Sequence, residues 1–130
     1  MKSIEGKFEV VLEPLAAHLH AEHGMSARRM AITKTYDGAL AGRSIGEMLS
    51  VTTPQQGSAG YVAFEQFVGV LDDKAGSFVM QHSGTTNKGS SMLQIDIVAD
   101  SATGQLTGLA GTLQIKIEHG KHFYTLQYEL

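Results

Sequence analysis

Residues Thr107–Leu130 read TGLAGTLQIKIEHGKHFYTLQYEL. Two runs with period-2 alternation flank His119-Gly120, a two-residue signal for a tight hairpin turn. Such a turn sets Glu118 opposite Lys121, Ile117 opposite His122, Ile115 opposite Tyr124, Leu113 opposite Leu126 and Gly111 opposite Tyr128. The face carrying these last four pairs is largely apolar. The other carries Thr112, Gln114, Lys116, Phe123, Thr125 and Gln127. One face in and one face out is the pattern of a wall around a core.

The same alternation recurs upstream. Phe8, Val10 and Leu12 alternate with Lys7, Glu9 and Glu13 in a first strand. Further strands are predicted over Arg29–Thr35, Leu40–Ser50, Ala59–Leu71, Gly76–Thr86 and Met92–Val98, with the last two over Thr107–Glu118 and Lys121–Leu130. Asp37-Gly38 and Asp100–Gly104 read as turns, and Asp72–Ala75 as a four-residue loop. Leu15–Met30 is bounded by Pro14 and broken by Gly24, so it reads as a long loop with at most one helical turn. An eight-stranded meander without helices exposes two sheet edges unless it closes. The expected fold is therefore all-β, a single antiparallel barrel domain spanning residues 1–130.

The chain has 130 residues, a hydrophobic content of 42% and a charged content of 18%, which suits one folded domain and excludes a disordered one. The net charge of −3 gives no electrostatic footprint for nucleic acid. No cysteine is present, which excludes disulfides, thiolate catalysis and Cys-ligated metal. No run approaches the ~20 apolar residues of a membrane span, and Met1–Glu9 lacks the apolar core of a signal peptide. A cytoplasmic protein without cofactor, nucleic-acid or membrane partner is expected.

Glu65 and His82 are the residues most suited to chemistry. If Leu71 pairs with Gly76 across the Asp72–Ala75 loop, Glu65 meets His82 directly, on a face shared with Tyr61, Phe67, Phe78 and Met80. A carboxylate beside an imidazole among aromatic rings could move a proton; it could equally be a hydrogen-bonded pair that fixes strand register. Tyr61 could donate to a ligand oxygen. His18, His20, Glu22 and His23 resemble a metal grip, but the spacing matches no established zinc pattern, and no metal site is expected. Arg28 and Arg29 read as a solvated strand end.

The stretches GEMLS (Gly46–Ser50), GSAGYVAFE (Gly57–Glu65), GSFVMQHSGT (Gly76–Thr85) and DSATGQLTGLAGT (Asp100–Thr112) together resemble a family of small bacterial proteins catalogued as a domain of unknown function. The resemblance covers nearly the whole chain. It implies an eight-stranded barrel of the allene oxide cyclase-like type, a shape shared with dirigent proteins. It implies no activity, and the site motifs of the cyclases and dirigent proteins are absent here.

Three functions follow. The first is binding of a small apolar or amphipathic molecule by Tyr61, Glu65, Phe67, Phe78, Met80 and His82. The second is an isomerase or cyclase in which Glu65 and His82 transfer a proton. The third is an assembly module with a packed barrel. Val62, Phe64, Val68, Val70 and Val79 lie on the face opposite Tyr61 and Phe67, and an apolar outer face predicts a homo-oligomer, dimer or trimer.

Overall fold

A computed structural model describes all 130 residues. It contains nine strands and no helix: β1 (Lys2–Leu15), β2 (Ser26–Gly38), β3 (Leu40–Thr52), β4 (Ala59–Leu71), β5 (Lys74–Asn87), β6 (Ser90–Ile97), β7 (Thr103–Gly104), β8 (Ala110–Glu118) and β9 (Lys121–Glu129). Consecutive long strands pair antiparallel, β6 passes to β8, and β9 returns to β1. The result is a closed eight-stranded meander. Only the two-residue β7 stands outside the ring, as a graft on β5. No helix long and apolar enough to cross a membrane is present.

Three hairpins turn on two residues with positive φ: Asp72 and Asp73 (47° and 68°), Lys88 and Gly89 (49° and 91°), and His119 and Gly120 (51° and 76°). This left-handed pair matches the twist of the flanking strands. At β8–β9 the register is the expected one throughout. At β4–β5 it is not. Asp72 and Asp73 alone form the turn, so Leu71 pairs with Lys74 and every partner moves by two residues. Aspartate tolerates the left-handed region, which allows this shorter connection. A shift of two preserves the face of each side chain. Glu65 therefore still points inward, but its direct partner is Met80, and that of His82 is Ala63.

Other boundaries also move. β1 runs through Pro14 to Leu15, and β2 starts at Ser26, so the connecting loop is shorter than expected and holds no helical turn. β8 begins at Ala110, because the segment before it folds inward and buries Leu106 and Leu109.

The two ends of the barrel differ. One is filled by Tyr36, Leu40, Phe67, Leu71, Phe78, Leu106, Leu126 and Tyr128, all at most 2% exposed. The Tyr124 hydroxyl locks this end: it donates to the Asp37 carbonyl at 2.9 Å and accepts from the Leu40 amide at 3.2 Å. The other end is looser. Direct cross-strand partners there form an arc of Arg28, Ser50, Tyr61, Gly84 and Leu93 over β2 to β6, and Leu93 remains 45% exposed although it lies on the inward face.

Candidate functional site

Between the two ends sits a cluster of charged and polar groups. Lys34 of β2, Ser44 of β3, Glu65 of β4 and His82 of β5 are the buried polar side chains of the molecule, each at most 5% exposed. Lys34 lies in phase with Ile32 and Tyr36 on the inner face of β2. Gly46 opposes Glu65 across β3–β4, and a methyl group there would strike the Glu65 backbone and Cβ. The bare glycine lets β3 and β4 approach closely where Glu65 is anchored.

The Glu65 carboxylate accepts four hydrogen bonds. Oε1 receives Tyr36 Oη at 2.6 Å and Ser44 Oγ at 2.7 Å. Oε2 receives Lys34 Nζ at 2.7 Å and His82 Nε2 at 2.6 Å. Those bonds fill its acceptor sites. Burial pushes the Glu65 pKa upward, but the bonds from His82 and Lys34 and their charges outweigh it, leaving the carboxyl at about 2. Burial, reinforced by the neighbouring Glu65 charge, raises the Tyr36 phenol well above its ordinary value, so Tyr36 is a donor throughout the neutral range. The Lys34 ammonium also lies over the Phe8 ring, 4.9 Å from its centroid, a contact that helps replace lost hydration.

This occupancy changes the chemistry expected of the pair. An anion with pKa about 2 and no spare lone pair does not collect a proton near neutrality. Since the carboxylate can only accept, Nε2 of His82 is the protonated nitrogen of that bond. Nδ1 has no protein partner and is not sealed from solvent. The arrangement is a carboxylate-oriented imidazole whose second nitrogen is free, the logic by which a buried acid positions a histidine base.

Tyr61 lies at the loose end, four residues before Glu65 in β4. Its ring lies across Gly84, where any added methyl group would collide with it. Burial and the Glu65 charge raise its pKa, and no protein group bonds its hydroxyl. A pocket of about 340 Å³ opens here, lined by Met48, Ser50, Tyr61, Gly84, Thr86 and Leu93 among others. Phe67, Phe78 and Met80 are completely buried in the core, Met80 directly opposite Glu65, and none of the three lines the loose-end pocket. His18, His20 and His23 lie on the β1–β2 connection, and no three acidic or histidine side chains converge there as metal ligands.

Lys34, Tyr36 and Ser44 were not singled out from the sequence. The signal for two of them was present: Lys34 and Tyr36 continue the inward alternation of Met30 and Ile32. Ser44 gave no such signal, since a serine on an inner face is ordinary.

Residues 4–128 match the family described as "Protein of unknown function (DUF3224)". The chain belongs to this family. A solved structure of a DUF3224 protein of unknown function from Shewanella oneidensis MR-1 is 47% identical, covers 100% of this chain and 97% of its own, and superposes with a TM-score of 0.98. No curated protein matches the chain. The DUF3224 barrel thus has a close structural relative.

Proposed function

We propose that this DUF3224 barrel binds a small amphipathic molecule at its loose end. The observation that carries the reading is the asymmetry of the interior. One end is sealed by tyrosine, phenylalanine and leucine, while the other opens into a pocket of about 340 Å³ beside Tyr61 and Leu93. That volume falls in the range of small-molecule sites, which pair apolar walls with a few convergent polar groups. The unpartnered Tyr61 hydroxyl supplies such a group in the lining, together with Ser50 and Thr86; His82 lies two residues deeper along β5, behind the lining. The Lys34–Glu65–Ser44–Tyr36 network holds the imidazole rigidly from behind.

Titration of isotope-labelled protein with octan-1-ol tests this. Amide shifts at Tyr61, Gly84 and Leu93 are expected, and Leu93→Trp should abolish them by blocking the rim. Shifts confined to the outer face of β3 and β4 would refute the reading.

The geometry of His82 favours a second reading, proton transfer on a bound substrate. In it, His82 is the base through Nδ1 and Glu65 is a positioning residue. We draw the parallel with allene oxide cyclase-like and dirigent-like barrels on strand count and meander order, and it brings none of their site residues to this chain.

We also infer that copies of the chain associate. Ile45, Val62, Phe64 and Val68 are each more than 50% exposed along the outer face of β3 and β4. A groove of about 1060 Å³ runs beside them under the β1–β2 connection. A contiguous apolar face of this kind is a mark of subunit contact.

A further inference from the structure

Arg28 and Arg29 are neighbours in sequence with opposite surroundings. Arg29 points outward and is neutralised. Its Nη2 donates to both carboxylate oxygens of Glu47, at 2.9 and 3.0 Å, and its Nη1 to the Ala16 carbonyl at 3.3 Å. Arg28 shares the inward phase of Met30, Ile32 and Lys34, and no acidic group pairs with it. It is the direct partner of Ser50, Ser50 of Tyr61, and Tyr61 of Gly84. Direct partners share a face, so Arg28 lies on the inward face one strand beyond Ser50, next to the pocket lining without being part of it.

Charge at this end is unbalanced. Three inward-phase side chains of the loose half carry permanent charge: Arg28, Lys34 and Glu65. Lys34 and Glu65 neutralise each other at 2.7 Å. Arg28 is left over, in a chain whose total charge is −3. An unpaired cation one strand from the lining of an apolar pocket, whose Tyr61 phenol is free to donate, is the complement of an amphiphile with an anionic head once the long Arg28 side chain reaches across Ser50.

We propose that the ligand of the loose end is an organic anion, a carboxylate on an apolar body. Arg28 and the Tyr61 hydroxyl take the carboxylate, and the body lies between Met48 and Leu93. This rests on the reading of the loose end as a ligand site and names the class of ligand. The planar guanidinium fork matches a carboxylate better than a point charge does.

The test compares octanoate with octan-1-ol, followed by calorimetry and by amide shifts at Tyr61, Gly84 and Leu93. Octanoate should bind roughly tenfold more tightly at low salt, and Arg28→Gln should remove that preference while leaving octan-1-ol binding unchanged. Arg28 is exposed at a strand end, where such a change leaves folding intact. Equal affinities for the two probes, or equal weakening of both by Arg28→Gln, would overturn the anion assignment while the ligand site stood. Absence of shifts at the three amides with either probe would overturn both.

Discussion

Glu65 and His82 meet at 2.6 Å diagonally across the β4–β5 ladder, with Met80 and Ala63 as their respective direct partners. A diagonal contact requires both side chains to lean along the strands. The pair is held in that posture by Lys34, Tyr36 and Ser44 from two further strands. Four strands thus converge on one carboxylate, and loss of its charge is felt by all of them.

Glu65→Gln should lower unfolding free energy by about 3–5 kcal/mol, because Lys34 is left buried without its counter-charge. Urea denaturation measures this. The combined change Glu65→Leu, Lys34→Met, His82→Leu should cost much less than the single one, since no buried charge remains unpaired. A single variant as stable as the wild type would show that the ion pair is not desolvated.

Acid should reveal the same group. The folded-state carboxyl lies at about 2, below its ordinary 4.5. A depressed pKa contributes stability that is fully present above pH 4.5 and is lost as pH falls from there toward 2. The contribution is on the order of 3 kcal/mol. Stability of the wild type should therefore drop through this window, and that of Glu65→Gln should drop less. Parallel acid profiles would contradict the assignment.

Tyr124→Phe removes one hydroxyl that serves both the Asp37 carbonyl and the Leu40 amide. The Leu40 amide loses its partner within the packed end, for an expected cost of about 1–3 kcal/mol. Hydrogen exchange at Leu40 should accelerate with it. Unchanged exchange would mean that water or a repacked turn replaces the phenol.

Light scattering at micromolar concentration should give a dimer or trimer mass. Phe64→Lys, which places a charge in the middle of the apolar outer face, should yield monomer. A monomeric wild type would leave that face free for another occupant.

Much of the barrel was legible because period-2 alternation reports directly on inside and outside. His119-Gly120 fixed its hairpin correctly, since a left-handed pair containing glycine has one obvious reading. Asp72-Asp73 was harder. Both residues adopt positive φ without glycine, and Lys74 and Ala75 looked like loop residues while serving as the start of β5. The candidate site was half legible. Glu65 and His82 stood out as polar residues in apolar runs. Their remaining partners are brought together by barrel shear, which depends on how strands slide past one another and leaves little trace in any single strand.

The ring is sealed unevenly. β3 and β4 run side by side over thirteen residues each, whereas β6 and β8 share the single residue pair Asp96 and Thr112. A cylinder cut most easily along one line behaves mechanically as a sheet with a clasp. Breathing motions that admit water, or a guest, into the interior should concentrate at that clasp, and a cross-link between β6 and β8 would stiffen the whole wall more than one placed anywhere along the long ladders.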